Sequence, residues 1–188
     1  MKIVELVIDN EKDGIDAISV VDRPAIESDF IALSSQLEVE LKEVNIEKKI
    51  LMGAALIPNK KIYRKENGEE FYVFFSEQTV RKASELFFIN NNQSNATQQH
   101  EKEIDGMTVT ESWIVEDKEK DKSNFHGFDV PLGTWMISMK CNNDAVWEDV
   151  KSGKVKGFSI EGYFADKMQM KKEQNLIEQI KKILENEK

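Results

Sequence analysis

Apolar and polar residues alternate along several stretches of this chain, and this pattern predicts β-strands. In residues 157–164, successive side chains would point to opposite sides of a strand. The first side would carry Phe158, Ile160, Gly162 and Phe164. The second side would carry Gly157, Ser159, Glu161 and Tyr163. The first side is typical of a core. The second is either the floor of a cleft or an ordinary solvent-exposed face, and glycine within a strand often marks close approach by a ligand or another segment.

A period of about 3.6 residues predicts helices elsewhere in the chain. Ser76 is suited to cap a helix that runs to about Phe88, and Asn143 a helix over residues 144–151, because their short polar side chains accept backbone N–H groups. Apolar residues also recur at helical spacing among the charges of residues 169–188, which predicts an amphipathic helix. This helix would either dock on the core or bind a partner.

These elements divide the chain of 188 residues into three parts. Residues 1–48 would form an extended N-terminal segment and a polar linker, residues 49–168 an α+β core, and residues 169–188 the C-terminal amphipathic helix. A chain of this length is sufficient for one sizeable hydrophobic core.

A turn at Asp105 and Gly106 would bring one of the two histidines next to a carboxylate. Asp-Gly between two extended runs is a strong signal for a two-residue hairpin turn. With residue 104 facing residue 107, the register places His100 opposite Glu111, and directly opposed Cβ atoms lie about 4.5–5.5 Å apart. A carboxylate at that distance would hold the imidazole ring in one tautomer.

Glu111 lies on the otherwise apolar side of its predicted strand, between Val109 and Trp113. Burying an unpaired carboxylate costs on the order of several kcal/mol, so Glu111 needs a partner. That partner would be either His100 or a lysine from elsewhere, because the chain has only three arginines, all upstream of the hairpin.

A serine, a histidine and an acid are the components of an acyl-transfer site, and Ser159, His100 and Glu111 would supply them. A serine on a strand is nevertheless common and usually inert. The pattern alone therefore favours a solvent-exposed face for Ser159 over a catalytic one.

Several segments that occur in one order give the chain a resemblance to a known family. They are residues 13–26, 100–101 (HE), 110–115 (TESWIV), 131–135 (PLGTW), 146–150 (VWEDV) with Gly153, and 157–162 (GFSIEG). Together they resemble the XkdF-type serine proteases of tailed phages and prophages, over roughly residues 3–168.

The resemblance implies an α+β fold similar to that of the herpesvirus assemblin proteases, with a β-barrel-like antiparallel core flanked by helices. It makes Ser159 the nucleophile and His100 the general base. The third member of the triad varies among such relatives. We expect Glu111 in this role from the hairpin register, with His126 and Glu161 as alternatives.

The resemblance also implies a capsid maturation protease that works inside the assembling procapsid in the host cytoplasm. Its substrates would be phage scaffold and major capsid proteins, and both self-cleavage and homo-oligomer formation are left open. The alternative is a non-catalytic, capsid-associated scaffold or adaptor protein with the same fold.

The composition narrows the classes of partner. The net charge of −9 argues against a nucleic-acid backbone as the main partner, because phosphate binding needs a basic patch. Two histidines and one cysteine, Cys141, lack the spacing of metal ligands, so we expect no metal and no other cofactor. No apolar stretch approaches the length that spans a membrane, so we expect no membrane partner.

Overall fold

The structure, a computed structural model, describes residues 2–10, 13–23, 31–35, 46–66, 68–167 and 177. These residues contain twelve β-strands, three α-helices and a short 3-10 helix at Asn92–Ser94. The strands are β1 (Lys2–Val7), β2 (Gly14–Val21), β3 (Ile31–Ser35), β4 (Ile46–Leu56), β5 (Ile62–Glu66), β6 (Glu69–Phe75), β7 (Ala96–Gln98), β8 (Lys102–Glu103), β9 (Met107–Ile114), β10 (Trp135–Cys141), β11 (Gly157–Tyr163) and β12 (Ala165–Asp166). The helices are α1 (Glu77–Ile89), α2 (Lys122–Phe125) and α3 (Asp144–Lys151).

The described strands form three four-stranded sheets. The strand orders are β12-β1-β6-β5, β3-β4-β10-β9 and β11-β2-β7-β8. Most neighbouring strands are antiparallel, but β1 with β6 and β2 with β7 pair in parallel. The expected α+β class is confirmed, whereas the described strands form separate sheets and no closed barrel.

The two longer helices begin where the sequence predicts them. The Ser76 side chain accepts the N–H of Thr79 at the start of α1 (3.4 Å), and the Asn143 side chain accepts the N–H of Val146 at the start of α3 (3.1 Å). Each bond satisfies an N–H group that has no partner within its helix.

The apolar side of β11 faces the core, as predicted. Phe158 of β11 and Ile18 of β2 are fully buried, and Ile160 is partly buried against the same cluster. The cluster continues to α1 and β10, where the rings of Phe87 and Trp135 meet at 5.5 Å between centroids. Because side chains alternate along a strand, the side of β11 that carries Ser159 faces away from this cluster.

The N-terminal strands are members of two of the sheets. β2 lies between β11 and β7, and β1 lies between β12 and β6. Both strands therefore share sheets with strands of the 49–168 segment. Residues 36–45 of the predicted linker, and the predicted C-terminal helix apart from Ile177, lie outside the described residues.

The hairpin expected to turn at Gly106 is not formed, and the expected pairing of His100 with Glu111 was wrong. β8 pairs instead with β7, and the N–H of Ile104 donates to the carbonyl of Ala96 (2.9 Å). Because residues 102–104 are bonded to β7, they do not pair with β9 as the predicted hairpin requires.

The strand after Gly106 joins a different sheet. β9 pairs with β10, in which Ser138 is the residue opposite Glu111. Gly106 has φ of 80° and forms the corner between the two sheets, and its carbonyl accepts the N–H of Asn142 just after β10 (2.6 Å). The two-residue hairpin turn predicted from Asp-Gly is therefore wrong: Gly106 marks a change of chain direction between two sheets, and the segments on either side of it pair with other strands.

Gly162 is required by the close approach of β11 and β2. The pairing register shifts between Glu161 and Gly162, as it does at a β-bulge. A Cβ atom at Gly162 would overlap with the carbonyl oxygen of Gly14 and crowd the Cα atom of Ile15. This glycine therefore marks close approach by another strand.

Gly162→Ala is expected to lower the free energy of unfolding by about 3 kcal/mol, because the groups that a methyl would meet are backbone atoms. Gly153→Ala is the control and should cost only about 1 kcal/mol, since Gly153 has φ of 72° but open space around it. Urea unfolding measures both values. Equal costs would show that the strands do not approach as closely as described.

Candidate active site

Ser159 lies in the middle of β11, in a row of small polar residues that crosses three strands. Its partner in β2 is Ser19, and the partner of Ser19 in β7 is Thr97. Directly paired side chains point to the same side of a sheet, so the three hydroxyl groups share the side that faces away from the core cluster. Ser159, Ser19 and Thr97 are 7%, 0% and 8% exposed, so other groups cover the row.

His100 lies in the tight turn that joins β7 to β8. Gln99 and His100 have φ of 55° and 60°, and the N–H of Glu101 donates to the carbonyl of Gln98 (3.1 Å). Positive φ at both central residues is the pattern of a type I′ turn, which glycine and asparagine usually supply. Other residues pay on the order of 1–2 kcal/mol for this conformation, so bonds from elsewhere must hold the turn.

β2 supplies these bonds. The N–H of His100 donates to Ser19 Oγ (3.1 Å), and this hydroxyl donates in turn to the carbonyl of Thr97 (3.4 Å). The N–H of Gln99 donates to the carbonyl of Val20 (3.1 Å). The backbone of the turn is therefore fixed beside the row of hydroxyl groups.

Glu161 fixes the side chain of His100. Its Oε1 atom lies 3.0 Å from His100 Nδ1 and also accepts a hydrogen bond from Thr97 Oγ1. An ionised carboxylate only accepts hydrogen bonds, so Nδ1 carries a proton and Nε2 is the basic nitrogen of the neutral ring. A carboxylate orients a catalytic histidine in the same way.

Four residues thus close a ring of hydrogen bonds, here called the hydrogen-bond ring: Ser19, Thr97, His100 and Glu161. Ser19 bonds to backbone groups of Thr97 and His100, and Glu161 bonds to the side chains of the same two residues. The ring therefore fixes both the backbone and the imidazole of His100.

Ser159 precedes Glu161 by two positions on the same side of β11. At a rise of about 3.4 Å per residue, their Cα atoms lie roughly 7 Å apart. The expected nucleophile and the acid–imidazole pair therefore share one strand. Among the described residues, no hydrogen bond joins Ser159 Oγ to the ring of His100.

Glu111 forms an ion pair with Lys122 instead of His100. Lys122 Nζ lies 2.5 Å from Glu111 Oε2 and 5.4 Å from the centroid of the Trp113 ring. The hydrogen bond from Lys122 lowers the pKa of the Glu111 carboxyl group. Glu111 also lines a cleft of about 370 Å³ between α1 and β9. The acid that lies beside His100 is therefore not Glu111 but Glu161, which was expected as an alternative for the third member of the triad.

Neither His126, the other alternative for the third role, nor Cys141, the single cysteine, belongs to the hydrogen-bond ring. His126 follows α2, and its ring packs edge-on against Phe125 at 5.1 Å between centroids. Cys141 is buried, and its thiol donates to the carbonyl of Asn143 (3.3 Å). Burial raises the pKa of this thiol, which disfavours the thiolate that a cysteine nucleophile needs.

Sequence reasoning missed Ser19 and Thr97. Ser19 is the one polar residue in the run at positions 17–21 (AISVV), and this interruption was a usable signal. Thr97 lies in a long polar run, in which nothing distinguishes it.

Metal-ligand clusters and membrane-spanning helices are absent from the part of the chain that the structure describes. There, no group of three or more His, Cys, Asp and Glu side chains is placed to hold a metal ion. None of the helices in this part combines the length and apolar character that crossing a membrane requires.

The fold and the site define an α+β protein in which a strand serine accompanies a histidine–carboxylate pair. A family model described as "Putative phage serine protease XkdF" matches residues 38–169. The chain therefore belongs to this family, and the matched range contains Ser159, His100 and Glu161 but not Ser19. No curated protein matches the chain, and no solved structure matches it.

Replacing Lys122 by methionine is expected to raise the pKa of the Glu111 carboxyl group toward its ordinary value, because the hydrogen bond that lowers it is lost. Carbon-13 NMR of the carboxyl resonance during a pH titration measures the change. His100→Ala is the control and should leave this pKa unchanged. A change in His100→Ala and none in Lys122→Met would restore the pair predicted from the sequence.

Proposed function

We propose that this protein is a phage or prophage serine endopeptidase in which Ser159 is the nucleophile, His100 the general base and Glu161 the orienting acid. The observation that carries the proposal is the 3.0 Å contact between His100 Nδ1 and Glu161 Oε1, on the strand that also holds Ser159. Membership in a family described as phage serine proteases supports the reaction class. Glu161 takes the third role because Glu111 is paired with Lys122.

In the proposed reaction, His100 Nε2 takes the proton of the Ser159 hydroxyl as Oγ attacks a peptide carbonyl carbon. Glu161 stabilises the imidazolium that forms, and the imidazolium then gives its proton to the departing amine. Water, deprotonated by the same nitrogen, then attacks the acyl carbon. The bond from this carbon to Ser159 Oγ breaks, the imidazolium returns its proton to Oγ, and the new carboxyl terminus is released. The side chains of His100 and Glu161 are 42% and 30% exposed, which leaves the pair accessible to a polypeptide.

The proposed substrates are phage scaffold and major capsid proteins, cut within the assembling procapsid in the host cytoplasm. Membership in a family described as phage serine proteases supports this assignment, and the shape of the site does not bear on it. We include self-cleavage in the proposal, because the same chemistry acts on any exposed peptide segment that reaches the site.

The second candidate function is that of a non-catalytic, capsid-associated scaffold or adaptor protein. It is favoured by the burial of Ser159 and by the lack, within the described residues, of a hydrogen bond between Ser159 Oγ and His100. An enzyme needs these two groups within hydrogen-bond reach in its substrate complex, whereas an adaptor does not.

A serine-reactive fluorophosphonate separates the two functions. The wild-type protein is expected to gain one adduct, which mass analysis locates on Ser159, and to cleave the scaffold protein of the same phage. Ser159→Ala should lose both reactions, and His100→Ala should slow both by about 10³-fold or more, because the general base is removed. Neither residue is a large apolar core group, so both variants should keep the unfolding midpoint of the wild type.

Two carboxylates provide a matched comparison in the same experiment. Glu161→Gln keeps the shape of the side chain but loses its charge, and should lower the rate by up to about 10⁴-fold. Glu111→Gln should react like the wild type. Cleavage by Ser159→Ala at the wild-type rate, in a preparation free of other proteases, would contradict the proposal. A loss of activity in Glu111→Gln but not in Glu161→Gln would make Glu111 the orienting acid.

A further inference from the structure

Two members of the hydrogen-bond ring, Ser19 and Thr97, have no part in the proposed chemistry. We propose that they are positioning residues, which hold the His100 ring with its Nε2 atom available to Ser159. The inference rests on the proposed function, and it adds two residues that act through their hydrogen bonds to His100 and Glu161.

The surroundings of Ser19 explain why a hydroxyl group is needed there. Ser19 is fully buried, as are its neighbours Ile18 and Val20. A buried hydroxyl without partners is costly, but this one accepts the N–H of His100 and donates to the carbonyl of Thr97. It thereby holds a turn whose positive φ values are unfavourable for the residues that adopt them. Without the hydroxyl, the backbone of His100 would lose the bond that fixes it.

Thr97 acts on the side-chain end of the same histidine. Its hydroxyl shares the Oε1 atom of Glu161 with His100 Nδ1. A carboxylate at the end of a long side chain rotates unless a second donor restrains it. Thr97 is itself restrained, because it is buried in β7 opposite Ser19. The threonine hydroxyl therefore selects the carboxylate orientation in which Nδ1–H is bound.

The same row of paired residues also holds the nucleophile. Ser19 is the register partner of Ser159, and its hydroxyl bonds to the turn that carries His100. The separation between Ser159 and His100 therefore depends on the hydroxyl of Ser19. When reacting groups are held in place for catalysis, a misplacement of about 1 Å costs about 10²-fold in rate.

The rate at which a fluorophosphonate labels Ser159 tests the inference without a known substrate. Ser19→Ala and Thr97→Val should each lower the maximal labelling rate by about 10- to 100-fold. The probe concentration that gives half of the maximal rate should not change, because the Ser19 and Thr97 side chains are buried. The backbone amide of His100 should also exchange faster in Ser19→Ala than in the wild type, since its acceptor is gone.

Ser138→Ala is the matched control. Ser138 is also a fully buried serine on a strand, and it lies outside the hydrogen-bond ring. The Oγ atom of Ser138 has no hydrogen-bond partner among the described residues, so this variant should be labelled at the wild-type rate. A loss confined to Ser19→Ala would then be ascribed to the hydrogen bonds of Ser19 and not to the burial of its hydroxyl.

Wild-type labelling rates in both Ser19→Ala and Thr97→Val, with Ser159→Ala unlabelled, would overturn the positioning role and leave the proposed function intact. A wild-type protein that is not labelled on Ser159 would instead refute the proposed function, and the positioning role with it. Thr97→Val keeps the shape of its side chain, so it decides the question if Ser19→Ala does not fold.

Discussion

The pairing of β2 with β11 on one side and with β7 on the other is the constraint on which the site depends. β11 carries Ser159 and Glu161, and β7 leads into the turn that carries His100. These strands have no common neighbour other than β2 in the described sheet. β2 lies before the range that the family model matches. The residues expected in catalysis are therefore assembled on a strand from the N-terminal segment.

Glu111 and Glu161 carry the same chemical group, and their partners decide what each does. Glu111 meets Lys122, whose ammonium group has no lone pair and serves as a fixed counter-charge. Glu161 contacts an imidazole, a group that can take up and release a proton, as the base in an acyl transfer must. Only the second pair suits that reaction, and it is also the pair that shares a strand with Ser159.

Local patterns predicted much of the fold but not the partner of His100. Ser76 and Asn143 marked the starts of two helices, because capping depends on residues a few positions away. The partner of His100 depends on long-range pairing, and β7 is a three-residue strand within a polar run, paired in parallel with β2. Its turn has no glycine to mark it, whereas Gly106 marks a corner between sheets. Glu161 was expected only as an alternative, because the alternation of residues along β11 does not show which residues lie across the sheet.

The tautomer of His100 tests the central claim most directly. Nitrogen-15 NMR of the ring, at a pH at which the imidazole is neutral, reports which nitrogen carries the proton. The chain has only two histidines, so His126→Gln leaves a single set of ring signals. The hydrogen bond to Glu161 predicts a proton on Nδ1 and none on Nε2. A neutral ring protonated on Nε2 would show that Glu161 does not orient His100, and would contradict the account of the site.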